Sequence, residues 1–241
     1  MTVLQNTGSL YQNQLVRRSS PDFRKKLMRY MRTVELPLGA TVCEAGGALN
    51  YAYFPEGSVL SLLTVLENGS EVECANIGRE GAFGLFAHQY GSVSFNRCVV
   101  QLEGPIMRCD VEPLHELLQE DTQARDIFIS FSEALLSQVM QSVGCNALHK
   151  IEQRICRWLL MMHDRSEGDN LSYTHEFLAR IIGANRTSIT QAAQSLQSKG
   201  LVTYRRGLIQ IQDRAGMEAE ACECYMAVKR RYDACLKHAE Q

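Results

Sequence analysis

The stretch that most restricts how this chain can fold is Leu171–Gln212, LSYTHEFLARIIGANRTSITQAAQSLQSKGLVTYRRGLIQIQ. Apolar residues recur at helical spacing twice within it. Phe177, Leu178, Ile181 and Ile182 share one face, and Ile189, Ala192, Ala193 and Leu196 repeat at i, i+3, i+4 and i+7. Thr174 and Asn185 stand where each helix needs a side-chain acceptor for its unpaired first amides. Gly183 lies between them, where the first helix must stop in a conformation that disfavours a Cβ. Helix, glycine turn and second helix predict a helix-turn-helix, a unit whose second helix enters the DNA major groove. Lys199-Gly200 ends that helix. Leu201–Tyr204 and Leu208–Ile211, on either side of Arg205-Arg206-Gly207, then predict a small hairpin, or wing.

The chain has 241 residues, enough for a well-buried core and two domains. Its formal net charge of −2 argues against a uniformly basic coat. The charge is uneven, however. Between Leu171 and Asp213 the bases Arg180, Arg186, Lys199, Arg205 and Arg206 face only the acids Glu176 and Asp213, a local +3. Phosphate neutralisation depends on such local charge. No apolar run is long enough to span a membrane, and the N-terminal MTVLQNTGSLYQNQ lacks the basic region and apolar core of a signal peptide. A cytoplasmic location is expected. The nine cysteines are odd in number, scattered and without a CxxC pair, so small buried apolar roles are expected rather than a disulfide framework.

Residues 1–19 read as a poorly ordered tail or a loosely packed lead-in. Ser20-Pro21-Asp22 then starts a helix with Phe23, Leu27, Tyr30 and Met31 as its apolar stripe and Arg24, Lys25, Lys26, Arg29 and Arg32 as a solvated outer face. From Val34 to about Asp110 short strand-like runs alternate with turn signals: VELPLG, TVCEAGG, YAYFPEGSVLSLLTVLENGS, EVECANIGREG, FNRCVVQLEG and PIMRC. Asn68-Gly69 marks a hairpin. This pattern predicts an antiparallel barrel or jelly-roll, closed by a short helix over Val111–Gln119. A long helix follows from about Thr122 to His149. Its stripe of Phe128, Phe131, Leu135, Val139 and Val143 suits a helix–helix seam, read here as a homodimer seam, with an intrachain helix as the alternative. Ile151–His163 is a further helix, Asp164–Asn170 a loop, and Gly216–Ala239 a terminal helix. The expected fold class is therefore α+β. An N-terminal antiparallel β-roll fills 1–120, a long dimerisation helix 121–150, and a winged helix-turn-helix with a C-terminal helix 151–241.

Taken together, these parts resemble the CRP/FNR family of bacterial transcription regulators. The resemblance covers nearly the whole chain and is most specific from VGCNALHKIEQRICRWLL into THEFLARIIGANRTSITQAAQSLQSKGLV. It implies a homodimer on a two-fold symmetric operator in double-stranded DNA, an effector site in the β-roll, and RNA polymerase as a further partner. Against the family's recognition-helix pattern of Ser-Arg-Glu-Thr-Val with an Arg one turn later stand Asn185, Arg186, Thr187, Ser188, Ile189 and Gln191. Arg186 keeps the guanidinium that can grip guanine O6 and N7; Thr187 can meet a thymine methyl, and Gln191 can read adenine. Ser188 and Thr190 are expected at phosphate or base, and the wing's Arg205 and Arg206 at phosphate. Arg180, whose helix lies toward the backbone, reads as solvated surface.

The effector end departs from the family's cyclic-nucleotide pattern. The Glu that holds the ribose is absent from Gly81-Ala82-Phe83-Gly84-Leu85. The Arg-Ser that holds the cyclic phosphate falls on Phe95-Asn96, with Arg97 a substitute two residues along the strand. The hydroxyl pair that meets the base falls on Val139 and Met140. Each lost contact costs on the order of one to a few kcal/mol, so cyclic AMP is not expected, and any other effector stays unnamed. No cofactor is assigned. An iron–sulfur cluster is disfavoured because the first cysteine is Cys43. Haem is disfavoured because His88 and His115 show no pattern. Cys222, Cys224 and Cys235 offer three soft ligands without a clear fourth, so no metal is assigned; a thiol or metal redox sensor built on them stays an alternative. A cupin-like enzyme is a second alternative. It would need convergent metal ligands in the strands, where only His88 is found.

Overall fold

The computed structural model describes residues 3–4, 11–85 and 93–238. The chain divides into two compact units, 1–62 with 75–136 and 231–241, and 63–74 with 137–230. The division runs through the long helix rather than at either of its ends.

The first elements are β1 (Val3–Leu4), α1 (Gln14–Arg18) and α2 (Pro21–Leu27). Residues 11–19 are a packed lead-in rather than a tail, the second of the two expectations; residues 1–2 and 5–10 lie outside the described residues. Leu15 and Val16 are fully buried. Asn13, also buried, takes the amides of Leu15 and Val16 on its side-chain oxygen and donates to the carbonyls of Pro55 at 3.0 Å and Gly81 at 2.8 Å. Two apolar residues in a single turn are too short a run to show a period. The α2 start follows the sequence: Pro21 opens the helix and the Ser20 hydroxyl accepts from the Phe23 amide at 3.1 Å. The helix ends at Leu27, so Tyr30 falls beyond it and is exposed.

Seven strands follow: β2 (Arg32–Glu35), β3 (Thr41–Cys43), β4 (Tyr51–Pro55), β5 (Val59–Val65), β6 (Glu71–Ile77), β7 (Arg97–Leu102) and β8 (Pro105–Asp110). They form two sheets, ordered β1-β2-β8-β4 and β3-β7-β5-β6. The Asn68-Gly69 turn joins β5 to β6, with Gly69 at φ 80° and the Ser70 amide donating to Asn68 Oδ1 at 3.0 Å. Then come α3 (Val111–Glu120) and α4 (Thr122–Leu148). Phe128 of α4 meets Phe23 and Phe54 edge-on, at 6.0 and 6.1 Å between ring centroids.

The apolar stripe of α4 is not the one expected. Steps from Phe128 through Phe131, Leu135 and Val139 to Val143 average about 3.75 residues, more than the 3.6 of a helical turn. The series therefore winds off the inner face. Phe128 and Phe131 are buried, whereas Val143 is 68% exposed. The buried face continues instead through Ala134, Gln138, Ser142 and Cys145. A second apolar line, Ile129, Leu136, Met140 and Val143, faces outward.

The remaining elements are α5 (Ile151–His163), β9 (Asn170–Ser172), α6 (His175–Ile182), α7 (Arg186–Ser198), β10 (Val202–Arg205), β11 (Leu208–Ile211), α8 (Arg214–Glu220) and α9 (Cys224–His238). Two corrections arise here. The loop expected through Asn170 gives way to β9, which pairs with β11 and makes the wing a three-stranded sheet, β10-β11-β9. The terminal helix is two helices, because Ala221 is extended (φ −66°, ψ 151°) after Asp213 has capped α8 through the Gly216 amide. Trp158 of α5 packs against Tyr173 at 4.8 Å and donates its indole N–H to Glu73 at 3.1 Å.

Candidate nucleic-acid interface

The turn between α6 and α7 is built as its residues dictate. Thr174 caps α6 by accepting from the Phe177 amide at 3.1 Å, and Asn185 caps α7 by accepting from Ser188 at 2.8 Å. Gly183 sits at φ 66°, in the left-handed region open to glycine. Its α6 carbonyl neighbour, Ile182, accepts from the Arg154 guanidinium of α5, so a buried arginine satisfies one of the helix's orphan carbonyls. Ile189, Ala192, Ala193 and Leu196 are all buried and fix which side of α7 points out.

That outer side carries the residues the sequence singled out. Asn185, Arg186, Thr187 and Gln191 are exposed, and Ser188 and Thr190 are half-buried. Arg186 has no ion pair among the described residues. Thr190 is more committed: its hydroxyl donates to the Arg186 carbonyl at 2.9 Å and lies 3.1 Å from His175 Nδ1. The wing turn places Arg206 at φ 50° and Gly207 at φ 83°, two successive positive φ values that suit the twist of a two-residue hairpin. Arg205 and Arg206 are both exposed there. By contrast, Arg180 is 3.6 Å from Glu71 and its guanidinium lies over the Phe177 ring, while Lys199 is 2.8 Å from Glu220. These two bases are already occupied.

His175 was missed by sequence reasoning. It stacks on Tyr204 of β10, with 4.2 Å between ring centroids, and meets Thr190 of α7, so it joins helix α6, helix α7 and wing. The Tyr204 hydroxyl donates to the Tyr173 carbonyl, and the Tyr204 amide to Gln197 Oε1, each at 2.9 Å. Burial, helped by the nearby Arg186 charge, holds the His175 pKa below the ordinary value. The geometry agrees. With the Thr190 hydroxyl hydrogen given to Arg186, Nδ1–H must donate to Thr190, and the neutral ring then leaves the buried Nε2 bare. A single histidine outside any periodic pattern gave no signal of this role.

The residues assigned to an effector pocket have varied surroundings. Gly81 is pressed on Phe131, where an added Cβ would come within 2.0 Å of the ring. Phe83 is buried and exchanges two backbone hydrogen bonds with Tyr53, each 2.8 Å. Gly84, at φ 91°, abuts the Tyr51 carbonyl, and Leu85 is half-buried. Phe95 is 97% exposed, and Asn96 is half-buried. Arg97 Nε is 2.6 Å from Glu44 Oε2, a carboxylate where a phosphate would be needed. On α4, Val139 is half-buried and Met140 exposed. His88 lies outside the described residues, and His115 pairs along α3 with Gln119 at 2.8 Å. Cys222 and Cys224 meet Cys145 and His149, a group of four side chains that could hold a metal ion.

Residues 153–220 match the family model of the Crp-like helix-turn-helix domain. No curated protein matches the chain. Among solved structures, FixK2 from Bradyrhizobium japonicum superposes with a TM-score of 0.68 at 12% identity, over 79% of this chain and 96% of its own. A putative crp/fnr-family transcriptional regulator from Eubacterium rectale gives 0.68 at 18%, over 86% and 96%. The c-di-GMP responsive global regulator CLP of Xanthomonas campestris gives 0.61 at 15%, over 80% and 100%. The antiparallel β-roll, long helix and winged helix-turn-helix of this chain thus have the fold of the CRP/FNR regulators, and its residues 153–220 are similar to a Crp-like helix-turn-helix domain.

Proposed function

We propose that the chain is a sequence-specific, DNA-binding transcription regulator that works as a homodimer on a two-fold symmetric operator. The observation that carries this is the polar outer face of α7: Arg186, Thr187 and Gln191 are exposed above a fully apolar inner face, next to a wing tipped by Arg205 and Arg206. Arg186 reads guanine, Gln191 and Thr187 set the neighbouring base preference, and Asn185, Ser188, Thr190 and the wing arginines position the backbone. The outward line Ile129, Leu136, Met140 and Val143 supports dimerisation through α4, since steps of seven, four and three are the spacing of a two-helix seam. Such a dimer presents two recognition helices to half-sites one helical turn, or a multiple of it, apart.

On the input side, cyclic AMP is not the effector in this reading. Glu44 already takes Arg97, and the rest of the cassette lacks the acid and the hydroxyls that would hold a nucleotide. The enzyme alternative is not favoured. Selection of bound duplexes from a random pool, followed by footprinting, tests the reading. A protected, two-fold symmetric site is expected, unaffected by cyclic AMP; sequence-indifferent binding or an asymmetric site would sink it.

A further inference from the structure

Cys145 lies on the last turn of α4, and His149 follows just past its end, its amide still donating to the Cys145 carbonyl at 3.1 Å. Cys222 lies in the link between α8 and α9, after the extended Ala221, and Cys224 opens α9 on the other side of Glu223. The three cysteines are buried together. Cys145 Sγ is 3.6 Å from Cys222 Sγ, and Cys224 Sγ is 3.4 Å from His149 Nδ1. All four ligand atoms lie within 4.8 Å of one another. A tetrahedral ion with metal–sulfur bonds of about 2.3 Å and a metal–nitrogen bond near 2.1 Å places sulfurs about 3.8 Å apart and nitrogen about 3.6 Å from sulfur. The spacings fit one ion held by four ligands.

We propose that Cys145, His149, Cys222 and Cys224 bind a single Zn2+ ion as a closed Cys3His site. The surroundings are those such a site needs. With Nδ1 of His149 turned to the sulfurs, Nε2 lies 3.3 Å from Glu223 Oε1, the carboxylate–histidine arrangement that orients a metal-bound ring. Gln141 Nε2 donates to Cys224 Sγ at 3.0 Å, a bond suited to a thiolate. Three thiolates and one divalent cation carry a net −1, and two largely buried guanidiniums, Arg154 and Arg157, stand nearby without a carboxylate partner among the described residues. An ordinary packed group of cysteines would require neither a histidine aimed into it nor charged compensation. Soft donors in a small tetrahedral set select zinc over magnesium or calcium, and four ligands this close suit one ion rather than a multi-iron cluster.

Binding releases the three thiol protons and forms four bonds, with no change of oxidation state. The ion joins the end of α4 to the segment beyond the wing, two points that bracket the whole helix-turn-helix in sequence. Its binding energy is therefore folding energy for that unit. The inference stands apart from the DNA-binding reading, since it rests on none of the α7 or wing residues.

Elemental analysis of the full chain purified under reducing conditions should give close to one zinc per chain. After chelation, Co2+ titration should raise thiolate-to-cobalt charge-transfer bands and tetrahedral d–d bands that saturate at one equivalent and vanish on adding Zn2+. Cys222→Ser or Cys145→Ser should abolish the bands. Glu223→Gln should keep them and weaken affinity roughly 10-fold or more, and Cys235→Ser should change nothing. The proposal is overturned if folded, reduced wild-type chain takes up no Co2+. It is equally overturned if the bands survive Cys222→Ser, or if the isolated protein holds a Cys145–Cys222 disulfide and no metal. The wild-type titration decides even where a variant fails to fold.

Discussion

Replacing Arg186 with alanine separates base reading from everything else α7 does. The side chain is exposed, with no ion pair among the described residues, and only its backbone carbonyl is used, by the Thr190 hydroxyl. Alanine keeps that carbonyl and is the better helix former, so the fold should hold. A bidentate arginine–guanine contact is worth about 1–3 kcal/mol of discrimination, and a two-fold symmetric reader makes it twice, about 2–6 kcal/mol per dimer. At about 1.4 kcal/mol per factor of ten, that is a loss of roughly 30-fold to 10^4-fold in operator affinity. Fluorescence anisotropy on a selected duplex, and on duplexes substituted at each position, reads both parts of the expectation. The variant should lose affinity for the selected site and lose discrimination only at the position Arg186 contacts. Its thermal midpoint should stay put. A folded variant that binds with unchanged affinity and full discrimination would show that α7 does not read bases through this residue.

Other perturbations test other parts of the molecule. Arg206 holds φ 50° beside Gly207, a position that suits asparagine, so Arg206→Asn should leave thermal stability intact or slightly raised. If Arg206 meets phosphate, the same change should flatten the slope of log affinity against log salt by about 2 per dimer, at about 0.9 per lost contact; an unchanged slope would remove the wing from the interface. Gly81→Ala places a Cβ 2.0 Å from the Phe131 ring and should cost about 1–3 kcal/mol, a fall of several degrees in Tm by calorimetry; no shift would mean the ring yields freely. Leu136→Glu with Val143→Glu, both on the outward line of α4, should yield a folded monomer in sedimentation velocity, and a persisting dimer would move the seam elsewhere. His175 is held neutral in the fold, so the unfolded chain takes up its proton more readily. Stability should decline as pH falls through about 6.5, the ordinary histidine value. His175→Gln should remove part of that decline in urea midpoints measured at neutral and mildly acidic pH, and parallel profiles would contradict the assignment.

What the sequence disclosed, and what it hid, follows from how each feature is encoded. The helix-turn-helix was legible because its determinants are local: Thr174, Gly183 and Asn185 act within a few residues of themselves, and the buried face of α7 repeats at one period. The strands of the β-roll were legible for the same reason, through short runs set between turn signals and the Asn68-Gly69 turn. Errors arose where a tertiary partner decides. The α4 stripe was drawn by joining apolar residues at slightly more than one helical turn, and only packing shows that Phe131 lies inside and Val143 outside. Strand β9 is three residues long and exists because β11 lies beside it. The break at Ala221 interrupts an otherwise helical run with a residue that favours helix, so nothing local announces it.

The DNA-facing residues and the four-ligand cluster illustrate the two extremes. Arg186, Gln191, Arg205 and Arg206 occupy one short segment, and their exposure follows once the apolar face of α7 is known. Cys145 and Cys222 are 77 positions apart, and their 3.6 Å approach depends on the end of α4, on the length of α8 and on the break that follows it. Pairing by sequence proximity grouped Cys222 and Cys224 with Cys235, the next cysteine along. The fold instead brings them to Cys145, and it adds His149, whose amide continues the helical bonding past the end of α4 by donating to the Cys145 carbonyl. The Cys145–His149 pair at the end of α4 and the CxC pair beyond α8 are each weak alone. They become a specific site only because the chain returns, after the helix-turn-helix and wing, to the end of α4.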